Sequence, residues 1–123
     1  MKKVITTDKA PAGTGPYSQA LLSGELVFVA GQGPLHPVTH EIIGKDIVEQ
    51  TRNTLNNIKS ILEASGSGMD KVLKVNVYLS DIQDYDNFNK TYQEYFKPPF
   101  PVRTTIGCNL FDIKIEVDVI AEK

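Results

Sequence analysis

The chain has 123 residues, a formal charge of −2 and a pI near 5.6. That length makes one domain, residues 1–123, with a real core but little room to enclose a deep pocket on its own. Lysine and arginine are scattered, so no basic field points to nucleic acid, and the longest apolar run, Leu26-Val27-Phe28-Val29-Ala30, is far too short to span a membrane.

Met1-Lys2-Lys3 leads into Val4-Ile5-Thr6-Thr7-Asp8 with no apolar stretch long enough for a signal peptide. The next segment, residues 11–20, is a loop by its glycine and proline content. Residues 25–31 are nearly continuous in apolar side chains and predict a central strand. Ala30-Gly31-Gln32-Gly33-Pro34 forms a second loop, where glycine allows a close backbone approach or simply a turn. A helix is predicted over 47–64, because Ile47, Thr51, Leu55, Ile58 and Leu62 make one apolar stripe. Asp46 is its expected N-cap, Glu49 fits a capping box, and Gly66 suits a left-handed C-terminal residue. Residues 72–80 predict a strand with Val75, Val77 and Leu79 on one face. A second helix is expected over 85–96, with Phe88, Tyr92, Tyr95 and Phe96 as its aromatic stripe, and Pro98-Pro99-Phe100-Pro101 ends it.

In the last fifth, Val102, Thr104 and Ile106 alternate with Arg103, Thr105 and Gly107. Then Ile113, Ile115, Val117, Val119 and Ala121 alternate with Lys114, Glu116 and Asp118. This period predicts two half-buried strands. A hairpin centred between Asn109 and Leu110 would place Arg103 opposite Glu116 on one face. Such a pair suits either a small carboxylate substrate with a water, or nothing more than a cross-strand salt bridge. The elements add up to an α+β or mixed layout with two helices on one face of a single sheet, the other face being free to pack on a copy.

Other chemistries lack their patterns. His36 and His40 lie four apart, but Pro34 and Pro37 exclude a regular helix there and no cysteine or carboxylate set completes a metal site. Ser18, Ser23 and Ser80 have no elbow motif or paired histidine, and no Walker-type loop is present. The lone Cys108 excludes an internal disulfide and fits a reducing compartment, so the cytoplasm is expected, an organelle staying open. Asn89-Lys90-Thr91 matches a glycosylation sequon, read as chance without a secretion signal.

Several stretches taken together resemble the RidA/YjgF (L-PSP) family of enamine and imine deaminases. They are Ala10-Pro11 through Gly15-Pro16-Tyr17-Ser18-Gln19-Ala20, Ala30-Gly31-Gln32-Gly33-Pro34 and Asn53-Thr54-Leu55-Asn56-Asn57-Ile58. Val75-Asn76-Val77-Tyr78-Leu79, Phe88-Asn89-Lys90-Thr91-Tyr92, Pro101-Val102-Arg103-Thr104-Thr105 and Lys114-Ile115-Glu116 complete the set. No single motif decides; their order and spacing do. The resemblance implies a chorismate-mutase-like α+β fold, one mixed sheet covered by two helices, and a homotrimer whose sheets form a central barrel with clefts between subunits. It implies hydrolysis of 2-aminoacrylate, 2-iminopropanoate and 2-iminobutanoate, which leak from pyridoxal-phosphate enzymes, to 2-keto acids and ammonia, without metal or cofactor. It assigns the substrate carboxylate to Arg103 and the attacking water to Glu116, with Tyr17, Gly31, Asn89 and Thr105 around the substrate. Tyr17 and Asn89 also read as ordinary packing and helix-surface residues.

The chain departs from the family pattern in three places. Thr105 stands where many members have a reactive cysteine, Ala30 where serine is common, and the 107–112 loop looks about two residues shorter. That loop bears on substrate range. Two rival functions are an RNA-binding or endoribonuclease-type translation inhibitor, against which the acidic pI speaks, and a non-catalytic ligand-binding or chaperone-like trimer.

Overall fold

The computed structural model describes residues 1–123. In chain order the elements are β1 (Lys2–Ile5), β2 (Ala20–Ser23), β3 (Leu26–Gln32), α1 (Ile47–Ala64), β4 (Val72–Leu79), α2 (Tyr85–Tyr92), β5 (Val102–Gly107) and β6 (Ile115–Glu122). The strands make one mixed sheet of six in the order β1-β2-β3-β6-β4-β5. Both helices pack on one face of it, which is the α+β layout expected. No helix is long and apolar enough to cross a membrane.

The core lies between sheet and helices. Val27, Val29, Val75, Val77, Leu79, Ile115, Val117 and Val119 present the period-two stripe of β3, β4 and β6. Leu55, Ile58, Ile61 and Leu62 of α1 and Phe88 of α2 close over it. Each such side chain contributes about 1.5–3 kcal/mol on burial, so this layer fixes the register of every central strand.

The ends of α1 follow from local chemistry. Asp46 accepts the Glu49 N–H at 2.9 Å, as an N-cap should. The capping box is not reciprocal, however: the Glu49 carboxylate takes the Lys45 N–H at 3.2 Å instead of that of Asp46. At the other end Gly66 adopts φ +81°, while Ser67 N–H donates to Leu62 C=O and Gly66 N–H to Glu63 C=O. This is the Schellman arrangement, and it needs the left-handed residue that glycine supplies. The second helix stops at Tyr92, four residues before the expected end. Glu94 and Tyr95 N–H groups donate to carbonyls three residues back, so the chain tightens ahead of Pro98 and Pro99.

The terminal hairpin is corrected. Strands β5 and β6 are not neighbours, because β4 lies between them. Strand β5 runs parallel to β4, with Arg103 beside Val75, and β6 runs antiparallel to β4, with Glu116 beside Tyr78. A parallel partner needs a crossover, and α2 supplies it between β4 and β5. The buried face of β5 is also the reverse of a simple apolar count: Val102 and Ile106 are exposed, while Arg103 and Thr105 point under α2. Missed from the sequence were β1 and β2, each of four residues. Strand β2 joins β3 through Gly24-Glu25, where Gly24 has φ +60°, the sign a two-residue hairpin turn requires at that place.

Candidate functional site

The sequence-predicted residues fall into two groups. Arg103, Asn89 and Thr105 lie where β5 meets α2. Tyr17, Gly31 and Glu116 lie at the far side of the sheet's centre, around the end of β3. In register Arg103 and Glu116 are separated by three residues along β4 and by two inter-strand spacings. That is on the order of 14 Å between Cα atoms. They also occupy opposite faces, since Val75 beside Arg103 is buried under the helices and Tyr78 beside Glu116 is on the uncovered side. A cross-strand salt bridge between them does not exist. The one ion pair in the chain joins Arg52 to Glu94 on the surface.

Arg103 sits in an aromatic seat. Its guanidinium carbon is 4.6 Å from the ring centre of Tyr92, 5.1 Å from that of Phe88 and 5.7 Å from that of Tyr85. The ring faces attract the cation and the helix spacing of 85, 88 and 92 delivers all three to one side. Nη2 donates to the Tyr85 hydroxyl at 3.0 Å. No carboxylate pairs with this guanidinium. It opens on a cleft of about 380 Å³ lined by Asn89, Tyr92, Gln93, Phe100, Pro101 and Arg103 itself. Burial pushes the Tyr92 hydroxyl up to about 12. The Thr105 hydroxyl, on the same face two residues on, is buried without a hydrogen-bond partner.

Glu116 is built differently. A bulge in β3 between Val29 and Gln32 sets Ala30 and Gly31 against β6 out of the regular ladder. The missing Cβ of Gly31 leaves the space into which the Glu116 carboxylate folds; a methyl group there would collide with it. Half-buried in this position, Glu116 is held above the ordinary carboxylate range by burial first and by the charge of Asp118 second. Asp118 is itself fixed by the Asn76 amide and the Tyr78 hydroxyl, both at 2.9 Å. Glu116 borders a cleft of about 360 Å³ with Leu35, Ile42, Leu110, Phe111 and Ile113. This is where the 107–112 loop stands, and Cys108 stays apart, its N–H bonded to Leu79 C=O at the end of β5.

Tyr17 flanks the same end of the sheet. It lines a small cavity of about 70 Å³ with Gly13, Gly31 and Gly33. Its ring rests on Gly13 and Gly15, where an added Cβ would come within 3.2 Å, so those glycines serve close approach. The cleft of Arg103 has no lining residue in common with those of Tyr17 and Glu116.

Three buried amides hold these loops, and sequence reasoning gave them no role. Gln19 accepts from Thr7 N–H and donates to Pro11 C=O, tying the chain ahead of Tyr17. Asn57 donates to Gly33 and Leu35 C=O, pinning the loop after Gly31 to α1. Gln50 accepts from Lys114 N–H, setting the start of β6 ahead of Glu116. For Gln50 and Asn57 the signal was a polar residue on the buried side of α1, where an unpaired amide would be costly, while Gln19 lies in the loop ahead of β2 and carries no such pattern. Tyr92 was likewise read as helix packing and Tyr85 was given no role beyond starting the helix, yet both stand against Arg103.

Fold and clefts together define an α+β protein with a helix-packed arginine at one sheet edge and a half-buried carboxylate at the sheet's other face. A family model described as endoribonuclease L-PSP matches residues 7–123. The chain belongs to the RidA/YjgF (L-PSP) family. A RutC family protein of Saccharolobus solfataricus is 45% identical over 100% of this chain and 99% of its own length. The chloroplastic Reactive Intermediate Deaminase A of Arabidopsis thaliana is 38% identical over 98% of this chain and 65% of that protein. The crystal structure of E. coli TdcF with bound serine superimposes with a TM-score of 0.91 at 33% identity, covering 98% of each chain.

Proposed function

We propose that this chain is a cofactor-free deaminase of small 2-imino acids, 2-iminobutanoate and 2-iminopropanoate, working as a homotrimer in the cytoplasm. The observation that carries this reading is Arg103: a guanidinium held by three rings, unpaired with any carboxylate and turned to a cleft. Such a group suits a substrate carboxylate, held by two parallel hydrogen bonds. A deaminase named among the relatives and a neighbour crystallised with serine, an amino acid of similar size, support the substrate class.

Glu116 supplies the base. An imine carbon next to a carboxylate is electrophilic once its nitrogen is protonated. Water adds to that carbon, the C=N pair moves to nitrogen, and Glu116 takes the water's proton. Glu116 then returns its proton to the carbinolamine nitrogen, the C–N bond breaks to release ammonia, and the hydroxyl proton is taken up by the departing ammonia as the C=O bond of the keto acid forms. 2-Aminoacrylate enters the same path after protonation at its terminal carbon gives 2-iminopropanoate. Arg103 and Glu116 lie too far apart to share one substrate within a protomer, so Arg103 of one copy meets Glu116 of the next. The uncovered sheet face offers the contact, with Phe28, Val102 and Ile106 exposed there at 40, 67 and 45%. Light scattering at micromolar concentration should return about three times the chain mass of 13.6 kDa; a clean monomer would remove the shared site.

Gly31→Ala tests the carboxylate's seat. The atom an added methyl meets is the end of a flexible side chain, so the fold should survive with its Tm little changed. Displacing the Glu116 carboxylate by about 1 Å should lower turnover by about 10–100-fold. An unaffected kcat would mean that Glu116 does not act from this position. The function itself is tested by supplying 2-iminobutanoate in situ from an amino-acid oxidase. The protein should shorten the imine's lifetime at sub-stoichiometric concentration, and an unchanged lifetime would contradict the assignment.

A ribonuclease reading has less support. Arg103 is the only lysine or arginine lining these three clefts, and the net charge is −2. A polyanion bound through several phosphates needs more, and its affinity would fall steeply with salt.

A further inference from the structure

We infer that Tyr85 is a positioning residue of the carboxylate clamp, whose hydroxyl decides which edge of the Arg103 guanidinium is offered to substrate. This rests on Arg103 being the carboxylate-binding group. A guanidinium has two edges able to make paired hydrogen bonds, one from Nε and Nη2 and one from Nη1 and Nη2. Nη2 belongs to both and carries one hydrogen for each. The Tyr85 hydroxyl takes one of these hydrogens at 3.0 Å. One two-pronged edge therefore remains. The cation is also packed against the Tyr92 and Phe88 rings, its carbon 4.6 and 5.1 Å from their centres, which limits its movement. A carboxylate can then dock in a single orientation, and the imine carbon beside it is aimed consistently.

The hydroxyl has a second consequence. Hydrogen bonding with Asn89 first, and then the Arg103 charge, hold the Tyr85 phenol below its ordinary range, against burial and, more weakly, the charge of Asp86. Tyr92, the other phenol facing Arg103, is pushed up to about 12. On raising the pH, Tyr85 ionises first. Its phenolate then pairs with the guanidinium and competes with the substrate carboxylate.

The test compares the parent, Tyr85→Phe and Arg103→Ala. Calorimetric binding of 2-ketobutyrate is followed from neutral pH to about pH 10, with kcat and KM for 2-iminobutanoate measured at neutral pH. Melting curves and light scattering verify the fold of each variant. Tyr85→Phe keeps the ring over Arg103 and loses only the hydroxyl. It is expected to lower kcat by about two- to threefold, with KM falling in step, because the carboxylate then docks on either edge and only one edge is productive, while neutral-pH binding changes by less than about threefold. The parent's affinity should fall at alkaline pH and that of Tyr85→Phe should not. Tyr85→Phe with the parent's kcat, or with the parent's alkaline fall, would overturn the role of Tyr85. A rise in KM at constant kcat would overturn it too, since uniform binding is not positioning. If Arg103→Ala bound the keto acid as well as the parent, the clamp itself would fail, a result distinguishable from failure at Tyr85 alone.

Discussion

Arg103→Ala is expected to abolish useful hydrolysis of 2-iminobutanoate. Removing the guanidinium leaves the substrate carboxylate unpaired in a partly desolvated cleft. By comparison with truncated charge pairs that costs roughly 2–5 kcal/mol, or about 30- to 5,000-fold in kcat/KM. Arg103→Lys should recover only part of it, because an ammonium keeps the charge but not the two-pronged geometry. Arg103→Ala also removes a cation from beside the rings of Tyr85, Phe88 and Tyr92. Some loss of thermal stability in Arg103→Ala therefore accompanies the loss of activity, and Arg103→Lys separates the two effects. Calorimetric titration with 2-ketobutyrate is the deciding measurement. Parent-like binding by Arg103→Ala would show that the cleft of Asn89, Tyr92 and Phe100 holds no carboxylate.

Glu116→Gln is expected to fold, bind and fail to turn over. The amide keeps the shape against Gly31 but cannot take a proton from water, so kcat should fall by about 10²–10⁴-fold while 2-ketobutyrate still binds. Stability should move the other way. Burial and the Asp118 charge hold Glu116 above the ordinary carboxylate range, so the folded state binds its proton more tightly than the unfolded chain does. Ionisation of Glu116 thus opposes folding: stability falls as pH rises from the ordinary carboxylate value through the raised one, and the cost persists above it. The uncharged amide carries no such cost, and Tm at neutral pH should equal or exceed that of the parent. The acid limb of the parent's kcat/KM should also lie above the ordinary carboxylate range. A limb at or below that range would remove Glu116 as the base.

Much of the scaffold was legible because one signal governed it. The stripe Ile47, Thr51, Leu55, Ile58 and Leu62 on α1 and the alternation of Val75, Val77 and Leu79 on β4 are both burial patterns, and burial decides them. Strand β5 failed for the opposite reason. It is an edge strand whose helix-facing positions are Arg103 and Thr105, so polarity and burial run against each other there. Its pairing failed as well, because adjacency in sequence favours a hairpin with β6, while the long crossover through α2 had already claimed β5 for β4. The first two strands are four residues each, too short for a period to show.

The candidate site was legible residue by residue but not as an arrangement. Arg103 and Glu116 stand out in the sequence, yet the pairing expected for them within one chain does not form. The seat of Arg103 is spread over α2 at positions 85, 88 and 92, and aromatic residues at that spacing read as core. The seat of Glu116 depends on a bulge in a different strand, which no local pattern in β6 announces.

Subunit complementation tests the shared site most directly. Arg103→Ala and Glu116→Gln, each inactive alone, are unfolded together in equal amounts, refolded and assayed on 2-iminobutanoate. If Arg103 of one copy works with Glu116 of its neighbour, random mixing makes about a quarter of the clefts intact, and about a quarter of the parent's activity should return. If no activity returns from a mixture that light scattering shows to be assembled, the two residues do not meet across copies and the proposed site is wrong.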